Sequence, residues 1–259
     1  IEAYHKPYTA KYGTKIQSED YNGGLAEIRA QVEAGKITWD VVDLEVSDAA
    51  RGCDDGLFEK ISAGSLPNGV NGALPSKDFI PGALQECAVG TIVWSTIYAY
   101  DADKYKSKKP TTISDFFDVK KFPGKRGMRK VPKVNLEWAL MADGVDGKDV
   151  YKVLATKAGQ DRAFKKLDTI KNDVLWWEAG AQPPQMLADG EVVMTSAYNG
   201  RIFNAAVTEK KNFEIVWDRQ LFSFDLYAII KGTPRLKEAL RYVQFSTASE
   251  QLANQARWI

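Results

Sequence analysis

The sequence is poor in histidine and cysteine, and this scarcity excludes several kinds of chemistry. Among its 259 residues there is one histidine, His5, and there are two cysteines, Cys53 and Cys87. A serine or cysteine nucleophile normally needs a histidine base, and His5 lies in a segment that resembles a surface helix. The usual four-ligand zinc site cannot be built from this set. We therefore expect no catalytic residue, no metal and no cofactor, although paired carboxylates remain available for hydrolysis.

Other features are missing as well. The chain contains no G-x-S-x-G motif and no phosphate-binding G-x-x-x-x-G-K-[ST] loop. No run of about 18 apolar residues could span a membrane. The formal net charge is only +1, and no segment concentrates lysine and arginine, so we expect no nucleic-acid partner. The 44% hydrophobic and 27% charged residues are instead typical of a globular protein with a substantial core.

The two cysteines leave two interpretations open. They could be unrelated buried thiols, or they could form a disulfide, which would indicate an oxidising compartment. Both flank a stretch rich in Gly, Pro, Ser and Asn that has little regular structure to hold it. We predict the disulfide Cys53–Cys87 on this ground.

Short strand patterns alternate with helical ones, which predicts an α/β protein with crossover connections. We expect a strand at 14–20, a helix at 23–36 ending at Gly35, and a strand at 39–46 followed by a helix capped by Ser47 or Asp48. Later segments continue the alternation, with separate strands at 212–218 and 221–233 and one long helix at 234–255. The sequence begins without Met inside a helical pattern and stops in mid-pattern, so we expect further residues on both sides, including a first strand.

The sequence contains two α/β blocks, and long, mostly apolar strands predicted at 87–101 and 221–233 flank the second block. We predict two lobes, the first formed by 1–100 with 228–259 and the second by 101–227. Two strands crossing between lobes can act as a hinge beside an interlobe ligand cleft.

Ligands of open α/β sheets lie at the carboxyl ends of strands, where this chain places aromatic, acidic and amide side chains. The candidates are Glu45, Trp94, Ser95, Glu137, Trp177, Tyr198, Asn199, Arg201 and Asp225. Each alone could be a helix cap or a surface ion pair, but together they suit an amine-bearing ligand through cation–π contacts and charge-assisted hydrogen bonds.

Several stretches resemble one family. WDVVDLE, VGTIVWSTIYAYD, WWEAGAQPPQMLADGEVVMTSAYNGRIFNA and SFDLYAII are similar to segments of the periplasmic solute-binding proteins of ABC transporters, in the polyamine (spermidine/putrescine)-binding group. The resemblance covers nearly the whole chain. It implies a type II-like two-lobed fold, a periplasmic location and a membrane permease as partner; we also expect a monomer.

The resemblance also implies roles for individual positions. Glu45, Glu137 and Asp225 match acidic ligand-binding positions, and Tyr198 stands where polyamine binders usually have a tryptophan. Arg201 departs from the family, because polyamine binders usually carry aspartate there. An arginine would repel a terminal ammonium by about 1–4 kcal/mol at 4 Å, depending on the effective dielectric. A zwitterionic amino-acid derivative therefore fits better than a simple polyamine.

The sequence thus predicts a periplasmic component of an ABC importer that binds a small amine-bearing solute and is not an enzyme. Two alternatives remain. One is a carboxylate-based enzyme on a similar scaffold, which turnover of a bound ligand would reveal. The other is the ligand-sensing domain of a receptor or regulator, which a DNA-binding or membrane segment elsewhere in the gene product would reveal.

Overall fold

The computed structural model describes residues 1–21 and 23–258. In the first part of the chain the elements are α1 His5–Tyr12, α2 Ala26–Ala34, β1 Val41–Glu45, α3 Val46–Asp54, α4 Pro75–Asp78, β2 Ala88–Asp101, α5 Ile113–Phe117, β3 Arg126–Arg129 and α6 Asn135–Ala142. In the second part they are α7 Val150–Leu154, α8 Lys157–Asp168, β4 Val174–Trp177, α9 Gln182–Ala188, β5 Met194–Tyr198, α10 Asn199–Val207, β6 Phe213–Ile229, α11 Leu236–Ser246 and α12 Ser249–Gln255. Within these described ranges, no helix is long and apolar enough to cross a membrane.

The chain divides into two compact units. Unit 1 consists of Ile1–Val93 and Ser223–Ile259, and unit 2 consists of Trp94–Phe222. The chain passes from unit 1 to unit 2 within the long strand β2 and returns within the long strand β6. The predicted boundaries also lie on or beside these two strands; that the units act as separate lobes stays a prediction.

Unit 1 contains β1 paired antiparallel with the C-terminal half of β6. Val41 lies opposite Ile229, and Glu45 lies opposite Asp225. One core cluster contains Ile28 of α2 together with Leu44 and Leu226, which lie opposite each other in this ladder. The alternate residues Val42 and Ala228 belong to the same cluster, because alternate residues of a strand point to the same face. The predicted disulfide is confirmed: Cys53 and Cys87 are bonded, and the buried Cys87 belongs to the same cluster.

Unit 2 contains the strand order β2-β5-β3-β4. Strand β3 is parallel to both β4 and β5, as the α/β alternation predicts, whereas β2 is antiparallel to β5. A Cβ on Gly127 would lie 2.2 Å from Oγ1 of Thr195, so glycine permits the close approach of β3 to β5. The largest core cluster surrounds Trp138, Phe116 and Tyr98, all fully buried.

Several predicted elements differ in the structure. Residues 14–20 form no strand, because Ile16 is their only large apolar residue and no neighbouring strand takes up the segment. Helix α3 starts at Val46 after an extended Glu45, so Ser47 and Asp48 lie in the first turn instead of capping it. The two strands predicted at 212–233 are one continuous strand, β6, and the C-terminal helix is interrupted between Ser246 and Ser249. The helix predicted at 23–36 is confirmed, and Gly35 ends it with a φ of 62°.

Candidate functional site

Three aromatic rings lie together at one end of the strands of unit 2. The ring of Tyr198, at the end of β5, lies 4.9 Å from that of Trp94 and 5.8 Å from that of Trp177, in edge-to-face arrangements. These are favourable geometries for aromatic pairs. All three residues were predicted to contact ligand, and the structure brings them into one cluster, which we call the aromatic trio.

Neighbouring groups fix the orientation of the aromatic trio. The indole Nε1 of the buried Trp177 donates a 3.2 Å hydrogen bond to Oγ of Ser196. A Cβ on Gly180 would lie 2.8 Å from the ring of Tyr198, so glycine makes room for the ring. Because the trio is held by the protein, little conformational entropy would be lost when a ligand packs against it.

The predicted polar pair Ser95 and Asn199 also comes together. The amide N–H of Ser95 donates a 2.9 Å hydrogen bond to Oδ1 of Asn199. Helix α10 begins at Asn199. The side chain of Asn199 therefore links the start of α10 to β2.

Two arginines lie near this end of unit 2. The predicted residue Arg201 is exposed in the first turn of α10. Arg129, the last residue of β3, was not predicted, yet its guanidinium carbon lies 5.8 Å from the Tyr198 ring centre and 6.0 Å from that of Trp177. Both distances are within the range of cation–π attraction. This end of unit 2 therefore combines aromatic surface with positive charge.

The predicted acids Glu45 and Asp225 come together in unit 1. They lie directly opposite each other in the β1–β6 ladder, and Asp43 lies two residues before Glu45, on the same face. The backbone of Asp225 is held by Oγ1 of Thr91, which donates a 3.2 Å hydrogen bond to its carbonyl oxygen. Like charges directly opposite on a ladder repel. This acidic ladder, formed by Asp43, Glu45 and Asp225, therefore favours a cationic group.

The acidic ladder shifts the titration of its members. Burial, and then the charge of Asp225, raise the pKa of Asp43 to about 8. The Asp43 side chain keeps accessible surface although protein atoms surround most of its carboxyl group. Burial and the nearby carboxylates, Asp43 first among them, also raise the pKa of Tyr21, whose hydroxyl donates to the carbonyl oxygen of Asp43 at 3.1 Å. A bound ammonium would relieve this repulsion.

Glu137 lies apart from the other candidates in unit 2. It is buried on α6 and lines a cavity of about 340 Å³ to which no member of the aromatic trio contributes. Its membership of the same site as Tyr198 stays a prediction.

Sequence reasoning missed Arg129, Asp43 and Tyr21. The strand-end rule that selected Trp177 would also have selected Arg129, which ends the adjacent parallel strand. Asp43 is the alternate neighbour of Glu45 along β1, so its shared face could have been inferred. Tyr21 lies in irregular chain, and no sequence signal connects it to β1.

No group of three or more His, Cys, Asp or Glu side chains within the described part of the chain is arranged to hold a metal ion. The chain belongs to the bacterial extracellular solute-binding proteins, since the family profile matches residues 3–259. Proteins of this class bind small ligands for ABC importers and work with a transporter permease, and this chain is a solute-binding protein of that type.

Two relatives have substantial sequence identity to this chain. A gamma-aminobutyric acid-binding protein of Pseudomonas aeruginosa is 46% identical over 246 residues, which span 95% of this chain and 67% of the relative. The crystal structure of the periplasmic binding protein MotA from A. tumefaciens B6, in complex with glucopine, has 31% identity and a TM-score of 0.88. It matches 98% of this chain and 76% of its own length. Both relatives are binding proteins.

A spermidine/putrescine ABC transporter substrate-binding protein from Streptococcus pneumoniae has a TM-score of 0.72 at 13% identity, with 96% of this chain and 77% of that one covered. This last likeness is one of fold alone. The predicted α/β fold of the two-lobed periplasmic binding proteins and the predicted resemblance to ABC-importer solute-binding proteins are confirmed.

Proposed function

We propose that this protein binds a small zwitterion whose ammonium and carboxylate groups are separated by an alkyl chain, and that gamma-aminobutyric acid (GABA) is such a ligand. The observation that carries the proposal is the distribution of charge. The candidate residues of unit 1 are carboxylates, and those of unit 2 are aromatic rings with two arginines. The 46% identity to a GABA-binding protein supports the same ligand class.

In this proposal Asp225, with Glu45 and Asp43, receives the ammonium group. Charge-assisted hydrogen bonds to carboxylates are roughly twice as strong as neutral ones. The alkyl chain packs on Tyr198 and the other rings of the aromatic trio, and Arg201 receives the carboxylate. Putrescine would place a second ammonium near Arg201 and should bind more weakly than GABA.

The cellular context is also part of the proposal, and the family supports its periplasmic location and its permease partner. The protein works in the periplasm as a monomer, delivers its solute to a membrane permease, and binds no nucleic acid. A ligand recovered chemically unchanged after long incubation with the protein would agree with transport and would contradict a hydrolase.

Calorimetric titration with GABA, putrescine, n-butylamine and butyrate tests the ligand class. Wild type should bind GABA in preference to the three analogues, each of which lacks one of its charges or carries a second ammonium. Asp225→Asn and Arg201→Gln should each weaken GABA binding by about tenfold to a hundredfold, because a charge-assisted hydrogen bond contributes about 1.5–3 kcal/mol. The proposal also requires a single ligand to contact both residue sets, so a variant in either unit must weaken binding.

The matched control is Arg162→Gln, which removes an exposed arginine of unit 2 that pairs with Asp143. It should leave GABA affinity unchanged. Tight putrescine binding by wild type, with no gain in Arg201→Asp, would contradict the role of Arg201 and favour a polyamine as the ligand.

A further inference from the structure

The cavity lined by Glu137 lies within unit 2, between α6, α7 and β6. Its volume, about 340 Å³, is near the lower limit of about 300–1,000 Å³ typical of small-molecule sites. Apolar surface comes from Met141, Val150 and Leu221, and aromatic surface comes from Tyr151 and Trp217. The cavity is therefore mainly apolar, with a carboxylate on its wall.

Glu137 is only 8% exposed. Burial raises the pKa of its carboxyl group, whereas the hydroxyl of Tyr151 and the backbone N–H groups of Val134 and Glu137 itself lower it. Its oxygen Oε2 is buried and has no hydrogen-bond partner in the described part of the chain. An unpaired buried acceptor costs about 1–3 kcal/mol, and more when it is charged. Such a group suits a donor supplied by a ligand.

Backbone strain is found beside Glu137 and in the cavity wall. Val134, three residues before Glu137, has a φ of 71°, which is unfavourable for a β-branched residue. Arg219, which lines the cavity, has a φ of 57°, and its carbonyl oxygen accepts a 2.9 Å hydrogen bond from Nε1 of Trp138. Strain of this kind concentrates at functional sites, where the surrounding structure maintains it.

Two positive groups act near the cavity. Lys133 lowers the pKa of Glu137 through its charge. Arg219 lies beside Gly147, with Nη1 3.6 Å from the position of a Cβ there, and its charge acts on Asp146.

We propose that this cavity is a second ligand site, separate from the aromatic trio, and that it takes a small primary ammonium ion. The ammonium group donates to Oε2 of Glu137 and lies against Trp217 and Tyr151, which attract cations through their ring faces. The alkyl part packs against Leu221 and Met141. The inference does not depend on GABA being the transported solute.

The cavity should bind the ammonium less well at low pH. Burial raises the pKa of Glu137 above its ordinary value, although the bonds from Tyr151, Val134 and its own N–H and the charge of Lys133 oppose this shift. A protonated Glu137 carries no charge to attract an ammonium. The groups that face it are Tyr151 from α7 and Lys133 from the preceding loop, with Arg219 from β6 across the cavity.

The test is a ¹H–¹⁵N NMR titration of the intact chain with n-butylammonium chloride and, in parallel, with the isosteric neutral n-butanol. Shifts of the Trp217 indole N–H and the Gln220 amide report on the cavity. We expect n-butylammonium to bind about tenfold or more tightly than n-butanol, because the ammonium forms a charge-assisted bond. Glu137→Gln should remove this difference, and Leu221→Trp, which fills the cavity, should abolish the shifts while leaving GABA affinity unchanged.

The titration is carried out with GABA at saturation and again in Tyr198→Ala without GABA, so that a failure of the proposed function leaves this result readable. No shift at Trp217 and Gln220 up to the solubility of the amine would overturn the second site. Equal affinity of wild type for n-butylammonium and n-butanol would overturn it too. So would wild-type affinity for n-butylammonium in both Glu137→Gln and Leu221→Trp.

Discussion

The two units present different chemistry at the ends of their strands. In unit 1 the candidate residues are carboxylates on a two-stranded ladder, whereas in unit 2 they are aromatic rings beside Arg129 and Arg201. Each set is positioned by the core of its own unit. The two sets of candidate residues therefore favour groups of opposite charge.

The units also differ in what stabilises their irregular segments. Unit 1 ties Cys87, beside its loop-rich stretch, covalently to α3 through Cys53. Unit 2 uses the fully buried Arg126, whose guanidinium donates to four backbone carbonyl oxygens. The disulfide in unit 1 and the charge-assisted hydrogen bonds of Arg126 in unit 2 thus each stabilise an irregular segment.

The largest expected effect comes from removing this arginine. In Arg126→Met, the carbonyls of Phe116, Gly124 and Phe122, which accept bonds of 2.6–2.7 Å, lose their donors. Leaving several buried carbonyls unpaired should cost about 3–5 kcal/mol in the free energy of unfolding, since each unsatisfied group costs about 1–3 kcal/mol. Urea denaturation measures the loss, with the exposed Arg162→Met as control. A loss below about 1 kcal/mol would show that water replaces the guanidinium.

Arg126 and Arg129 show what the sequence could and could not predict. Both lie on one four-residue strand, and the strand itself follows from its pattern and flanking residues. Arg126 is buried where the segment from Phe116 to Phe122 folds back over it, and the irregular chain that ends this segment has no periodic pattern that would predict the fold-back. Arg129 contacts rings from β4 and β5, about 50 and 70 residues later.

The same limit applies to the acidic ladder. Glu45 and Asp225 could be proposed as ligand-binding acids, but their direct opposition needs the antiparallel register of two strands 180 residues apart. The failed strand at 14–20 has a related cause. A β pattern produces a strand only where a neighbouring strand offers its hydrogen-bonding edge.

The disulfide should give the next largest effect, and it should be confined to unit 1. Replacing both Cys53 and Cys87 by serine opens a loop with a sequence separation of 34. The loop-entropy estimate for this length is about 3–4 kcal/mol. Hydrogen exchange should then increase in unit 1 and stay unchanged in unit 2. Equal increases in both units would show that they unfold together. The control is wild type under denaturing, non-reducing conditions, in which no free thiol should be found.

The smallest effect concerns pH and compares one carboxyl group from each unit. Burial raises the pKa of Asp115 in unit 2, but the hydrogen bonds from Lys121, Thr111 and Thr112 outweigh it, so that the net shift is downward. In unit 1, burial and the charge of Asp225 raise the pKa of Asp43 to about 8. The two groups must therefore affect stability with opposite signs.

A group whose pKa is lowered by folding contributes stability that is lost as the pH falls, whereas one whose pKa is raised contributes stability that is lost as the pH rises. Asp43→Asn should therefore stabilise the ligand-free protein increasingly from about pH 4 to pH 8, by no more than about 1 kcal/mol because the side chain keeps accessible surface. Asp115→Asn should destabilise it at neutral pH, and this loss should shrink as the pH falls below about 4. Thermal melts of both variants and wild type between pH 3 and pH 9 compare the curves, with the exposed Asp161→Asn as control. Parallel curves for the two variants would mean that the carboxylates of unit 1 do not repel one another, and the case for an ammonium at the acidic ladder would lose its electrostatic basis.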